Sequence, residues 1–395
     1  MTKLYDLIII GSGPICAGIL HGIPDNLSIA VITHGGYGGY EVDVNGDLTY
    51  ANRFGGGLDE WHGVSSLALY KKHYPSDMAL AKEFFSEIYM EREEICECID
   101  ESHIYIPNKK IDLHNLVELI ESLNCDVIVG NVDSVNLESF YAEAIIGDAR
   151  FRAKKIILAA GAIGSMRLLS NSGLGTPNAY IGNHINGYCN FNVKPPEGAL
   201  SIKRGKGGHA KPIVSGILSG HEYIQYHRPS LFDFRYKDML IKNKSTYSRS
   251  KSEVYSKILR AMSPGLISEA IYNRYGYWIG GSNSNVYYQI ESTNVYYYDH
   301  QKKLILVDQN NLKSFNHSLK SDFGFKQLCE ETIVSGIHFY NSVNPVDGIG
   351  IIANKESWSN TILVADSSCL KSIGGAHHTF SIMAMGNLAA RRIYE

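Results

Sequence analysis

Paired histidines carry the chemistry that this sequence offers. His377 and His378 follow Gly374-Gly375-Ala376 and precede Thr379 and a helical run from Phe380 to Ile393, while His338 sits in Gly336-Ile337-His338-Phe339-Tyr340. Imidazole titrates near neutral pH, which suits it to take a proton from a hydroxyl. Histidines at the mouth of a helix also stand where the helix dipole stabilises a group that gains negative charge. Removing hydride from an alcohol needs a base for the hydroxyl proton and an acceptor held against the C–H bond. The plain alternative for His338 is a satisfied core histidine, and for His378 a helix-starting side chain that faces solvent.

Such an acceptor needs a cradle, and the opposite end of the chain has the makings of one. Leu7-Ile8-Ile9-Ile10 runs into Gly11-Ser12-Gly13-Pro14, a strand entering a glycine turn that opens a helix. These are the first two glycines of the dinucleotide fingerprint, where backbone N–H groups approach a pyrophosphate at a helix N-terminus. Gly11, Gly13 and Pro14 are therefore candidate cofactor residues. Two positions depart from the fingerprint. Cys16 stands where Gly or Ala usually allows close helix-to-strand packing, and Thr33-His34 ends the second strand where an acidic residue usually accepts the ribose hydroxyls. Thr33 and His34 can still hydrogen-bond a ribose, though less strongly. Gly35-Gly36, Gly38-Gly39 and Gly55-Gly56-Gly57, around Trp61, suit backbone lying close to a ligand.

The elements that must position these residues follow from the hydrophobic pattern. Strand, turn, helix and strand run over Tyr5 to Ile10, Gly11 to Leu20 and Leu27 to Ile32, the opening of a doubly wound fold. Met78 to Cys98 and Leu113 to Leu123 read as helices, the second leading into a strand at Asp126 to Gly130. Strands follow at Tyr141 to Gly147 and Phe151 to Ala160; the second is near-continuously apolar, as a strand buried on both faces should be. Gly161 to Ser170 reads as a helix. From Asn190 to Asn311 the pattern turns to alternating, Tyr- and Asn-rich strands such as Asn285 to Ile290 and Val295 to Tyr298, an antiparallel sheet broken by a helical insertion near 235–274. The expected fold is α/β. A Rossmann-like cofactor domain takes residues 1–189 and 332–395 from both chain ends, and an α+β substrate domain on the antiparallel sheet takes 190–331.

Bulk composition narrows the function classes. The chain has 395 residues, 44% hydrophobic and 19% charged, with a formal net charge of -3, which argues against a surface built for nucleic acid. Leu7 to Ile10 is a core strand, not a signal, and no apolar run reaches the ~18 residues that cross a bilayer. The 7 cysteines are odd in number and scattered, so at least one is unpaired; buried free thiols in a reducing, cytoplasmic setting are expected. Cys96-Glu97-Cys98 has no second pair at ligand spacing, so no metal site is expected.

At both ends and in three internal blocks the sequence resembles the glucose-methanol-choline oxidoreductases, FAD enzymes that oxidise alcohols. The blocks are Phe54 to Gly63, Ile156 to Gly175 with Gly161-Ala162-Ile163-Gly164-Ser165, and Ile181-Gly182-Asn183-His184-Ile185-Asn186; the closing segment from Leu363 to Ala390 is similar as well. The chain is shorter than most of that family. The resemblance implies FAD as cofactor, His338 as the base, and His377 as the residue that orients the substrate hydroxyl or shares its proton. It implies that Gly56, Gly57, Trp61 and His62 lie near the flavin face, that Ala160 and Gly161 pass close to the cofactor, and that Asp366 bonds its ribityl or phosphate region. Val127 or Val129 would approach the adenine; the plain reading there is a core strand, and the two readings are compatible. His378 and Thr379 count with the cofactor residues at the helix mouth.

The expected substrate is an alcohol, a sugar or phosphorylated sugar. The basic residues of the 235–274 insertion fit either a solvated face or an anion-binding patch, and the 26 tyrosines suit stacking on sugar rings as well as strand formation. The sequence does not name the electron acceptor. A non-redox flavoprotein lyase or sugar isomerase on the same fold, or an accessory binding protein with a decayed cofactor site, are the alternatives.

Overall fold

The computed structural model describes residues 3–35, 40–42, 48–51, 53–58, 65–89, 104–106, 111–178, 181–191, 202–204, 213–219, 222–227, 284–298, 304–306, 332–335, 339–340, 342–345, 349–351, 362–373 and 377–394. The chain opens with β1 (Leu4–Ile10), α1 (Pro14–Gly22) and β2 (Ile29–Thr33), as the pattern predicts. Pro14 stands at the start of α1, where a missing N–H costs nothing. A hairpin of β3 (Tyr40–Val42) and β4 (Leu48–Ala51) follows, then α2 (Ala68–His73), α3 (Met78–Tyr89) and β5 (Ile104–Ile106). A reciprocal capping box starts α4 (Leu113–Ser122): Asp112 accepts from the Asn115 N–H, and the Asn115 side chain accepts from the Asp112 N–H.

Next come β6 (Asp126–Val129), β7 (Ser134–Leu137), β8 (Ala142–Ile146), β9 (Ala149–Leu158) and α5 (Gly161–Asn171). Then follow β10 (Gly175–Pro177), β11 (Ile181–Phe191), β12 (Ile202–Arg204), β13 (Ile213–Ser219), β14 (Glu222–His227), β15 (Ser284–Tyr298) and β16 (Leu304–Leu306). The chain closes with β17 (Thr332–Ser335), β18 (Val343–Pro345), β19 (Ile349–Ile351), β20 (Ile362–Val364) and α6 (Thr379–Tyr394).

The α/β expectation holds. The main sheet runs β19-β20-β9-β1-β2-β6 with every neighbouring pair parallel, and β8 and β7 extend it antiparallel from β9. It takes strands from both ends of the chain. Side chains alternate along β1: Leu7 and Ile9 enter one buried cluster with α1, α3 and α6, while Ile8 and Ile10 enter the other with α5 and β8. Helices thus cover both faces, which is why Leu7 to Ile10 and Ile156 to Leu158 are apolar without alternation.

A second sheet, β13-β14-β15-β11-β17 with β16 on β15, is antiparallel throughout. Asn285 to Ile290 and Val295 to Tyr298, expected as separate strands, form one 15-residue strand. Ser292-Thr293-Asn294 between them has no glycine or proline to reverse the chain, and a register shift absorbs the irregularity. This sheet takes in β11 and β17, which begin at Ile181 and Thr332.

One alternative is corrected. Val127 and Val129 are not core residues: β6 is the edge of the parallel sheet, and they are 47% and 66% exposed. Cys16 and Cys125 are free thiols, Cys16 fully buried. The 235–274 insertion and Cys96-Glu97-Cys98 lie outside the described residues. Among the described residues no cluster of metal-ligating side chains forms and no helix is long and apolar enough to cross a membrane.

Candidate functional site

The site begins at the carboxyl edge of the parallel sheet. Ile10 pairs with Ile32 on one side and Leu158 on the other, Val364 pairs with Leu158, and Thr33 pairs with Val129. The turns after β1, β2, β6, β9 and β20 therefore leave the sheet along one line. Because the chain passes to β2 on one side of β1 and to β9 on the other, this edge opens a crevice at β1, the place where α/β sheets bind ligands. Gly11 sits there at φ 109°, and a Cβ on it would meet the Ala159 carbonyl oxygen at 2.3 Å. Only glycine lets the first turn pass this close under the turn after β9.

Gly13 forms the N-cap of α1 without a side-chain cap, and a Cβ added to it would meet nothing within 4 Å. The Cβ side of Gly13 is thus open space at the positive end of the α1 dipole. Gly56, at φ 52°, lies over this turn, an added Cβ standing 3.3 Å from Gly13 Cα. The loop is held there from beneath: the Gly55 N–H donates to Ser12 Oγ at 3.0 Å, and Arg53 Nε donates to the Gly56 carbonyl at 3.0 Å. Gly57 is open on its Cβ side. Trp61 and His62 lie outside the described residues.

Ser12 Oγ also lies 2.6 Å from Thr33 Oγ1, and Thr33 donates to the His34 carbonyl at 3.3 Å. Both hydroxyls are buried, so Thr33 serves the inside of the turn and its hydroxyl is already engaged. His34 differs: its Nδ1 is buried and meets no hydrogen-bond partner among the described residues. Val129 stands beside it at the end of β6, its Cγ1 filling the place a Gly35 side chain would take.

On the other side of β1, Ala160 and Gly161 make the turn into α5, with Gly161 at φ 74° and open. Asp366 follows β20 and caps the short helical turn Ser367–Cys369, accepting from the Ser368 N–H at 3.0 Å. Its other oxygen accepts from the Ser165 hydroxyl of α5. Burial raises its carboxyl pKa above the ordinary range, and the hydrogen bonds from Ser165 and Ser368 oppose that shift. Asp366 thereby ties the loop after β20 to the first turns of α5.

The helix expected at the C-terminus begins at Thr379, with His377 partly buried just before it. His378 does not face solvent. It is 6% exposed, and its ring meets that of His184 edge to face at 4.9 Å and 79°. His338 lies outside the described residues. Two residues on, Tyr340 exchanges two backbone hydrogen bonds of 3.1 Å with Gly182, and its ring occupies the space of a Gly182 side chain. The start of β11 thus touches both the segment after His338 and the mouth of α6.

Sequence reasoning missed four parts of this arrangement. Gly18, Gly22 and Gly386 let α1 and α6 cross with backbones in contact; an added Cβ would meet the Met383 carbonyl at 2.1 Å, the Asn387 carbonyl at 2.5 Å and Ile15 at 3.1 Å respectively. The Gly18/Gly22 spacing, one helical turn, was the available signal. His184 had no signal of its own, since its role depends on where a distant strand pairs.

No protein-family model matches the chain, and no curated protein sequence matches it. Among solved structures it is similar to pyridoxine 4-oxidase from Mesorbium loti, with a TM-score of 0.54 at 10% identity over 98% of this chain and 99% of that one. NikD, an amino acid oxidase essential for nikkomycin biosynthesis, matches with a TM-score of 0.44 at 10% identity over 99% and 94%. A variant of the halogenase PltM in complex with FAD matches with a TM-score of 0.40 at 12% identity over 99% and 70%. The first of these similarities shows a shared fold over nearly the whole of both chains.

Proposed function

We propose that this chain is an FAD-dependent oxidoreductase of the glucose-methanol-choline type, oxidising a CH–OH group to a carbonyl, with a sugar-like alcohol as substrate. The observation that carries the reading is the crevice at Gly11: glycine backbones from three segments approach there around an uncapped helix N-terminus. A pyrophosphate fits this cradle, since Gly13 and Gly161 leave room and the N-cap Gly13 places no side chain over the start of α1. The buried, unsatisfied Nδ1 of His34 at the end of β2 fits a ribose hydroxyl. The fold is shared with pyridoxine 4-oxidase, itself an oxidase, which accords with the reading.

FAD would be held by Gly11, Gly13, Pro14 and His34 at its nucleotide end, and by Gly56, Gly57, Ala160 and Gly161 along the crevice. When bound it supplies the hydride acceptor. His338 takes the proton of the substrate hydroxyl, and His377 at the mouth of α6 orients that hydroxyl by a hydrogen bond. The positive end of α6 favours negative charge gained beside it. Val129, at the edge of the sheet beside His34, contributes an apolar surface for the adenine.

The test is the visible spectrum of the purified protein, followed by sugars and polyols added without oxygen. Absorption bands near ~375 and ~450 nm that bleach with one alcohol are the expected result. Bands that persist with every alcohol would move the function to a non-redox lyase or isomerase. A colourless protein that takes up no added FAD would overturn the reading.

A further inference from the structure

We propose that His184 is a positioning residue for this reaction centre: its imidazole fixes the ring of His378 at the mouth of α6. The inference rests on the flavin reading above, which puts the redox ring at that helix end. His184 lies on β11, in a run from Ile181 to His184 that is buried throughout. The start of that strand is anchored from two sides. Asn183 and His184 register against Ser292 and Glu291 of β15, and Gly182 is bridged to Tyr340 by paired backbone hydrogen bonds. The Tyr340 ring lies on the bare backbone of Gly182, so the strand cannot shift along it without losing that fit.

His378 is fixed on a different element, its carbonyl accepting the Ile382 N–H as α6 begins. The two rings meet at 4.9 Å and 79°, with His184 at 0% and His378 at 6% exposure. A quarter turn of either ring about its Cβ–Cγ bond breaks the perpendicular contact, and burial leaves neither ring solvent space to move into. The His184 ring therefore holds the plane of the His378 ring just before α6. The N–H donor and the lone-pair acceptor of a neutral imidazole both lie in the ring plane, so that plane sets the directions in which His378 acts on a group bound there.

The experiment needs no substrate. Wild type and the His184→Leu variant are loaded with FAD, FAD affinity is measured by titration, and the flavin reduction potential is measured by reductive titration with dithionite. His378→Leu and the double variant complete a cycle. The expected result is a shifted potential in H184L with FAD uptake retained, and no further shift from H184L in the H378L background. An unchanged potential in H184L, or shifts that add in the double variant, overturns the proposal. If H184L takes up no FAD, His184→Gln is read in its place by the same criteria. Wild type that takes up no FAD overturns the flavin reading itself, an outcome distinct from an unchanged variant.

Discussion

Gly18 lies against the backbone of Met383, so that a Cβ on Gly18 would meet the Met383 carbonyl oxygen at 2.1 Å. Through this contact the first helix, which carries the glycine cradle, and the last helix, which carries the histidine pair, set each other's position. The obstacle is a backbone atom on a rigid element, and a side chain at Gly18 forces the helices apart.

Gly18→Ala is therefore expected to destabilise the protein by about 1–3 kcal/mol through overpacking. Gly386→Ala should cost less, since its nearest obstacles stand at 3.1 Å and one is the methyl of Ile15. Urea unfolding midpoints of the two variants measure the order. Equal midpoints would refute the claim that backbone contact decides it.

Ser12→Ala removes a buried hydroxyl that receives the Gly55 N–H and contacts Thr33. Leaving these groups unsatisfied costs about 1–3 kcal/mol. The loop over Gly13 loosens with it, and FAD affinity is expected to fall about tenfold or more. Fluorescence titration of the apoprotein with FAD checks this, and affinity at the wild-type level would count against the loop's role.

Glu143 has a pH dependence of definite sign. It is buried between Arg152 and Arg150, at 2.8 and 3.2 Å, and the Arg152 hydrogen bond leads in holding its pKa below the ordinary value despite burial. A carboxyl whose pKa is lowered on folding contributes stability above its unfolded pKa and loses it as pH falls through the folded value. Glu143→Gln should therefore be less stable than wild type at pH 7, with the gap closing as pH drops below the ordinary carboxylate range. Urea unfolding across that range measures it; a gap that widens on acidification would contradict the assignment.

His377→Asn and His338→Asn are expected to lower the anaerobic rate of flavin bleaching by roughly 10²–10⁴-fold while FAD stays bound. The rate with a reactive alcohol, followed by stopped-flow absorbance, is the measurement. Wild-type rates in either variant would remove that histidine from the proton transfer.

Much of the scaffold was legible because its determinants are local. The apolar run before Gly11, the glycine turn, the buried β9 run and the helix after His378 each occupy a short stretch whose period and punctuation suffice. Val127 and Val129 show the limit: an apolar strand at a sheet edge reads the same as one at the centre, and only the neighbour order exposes them. The solvent-facing alternative for His378 failed for a related reason, since what covers a helix start comes from elsewhere in the chain.

By itself the sequence determined that a strand, a glycine turn and a helix open the chain, and that histidines precede the last helix. Those features depend on backbone preference and on hydrophobic period, which act over a few residues. The tertiary structure alone decided that Thr33 turns its hydroxyl inward to Ser12, that Gly18 lies against the backbone of Met383, and that His184 meets His378. Each of these joins residues from separate segments, and such contacts exist only once long-range strand and helix packing has brought the segments together.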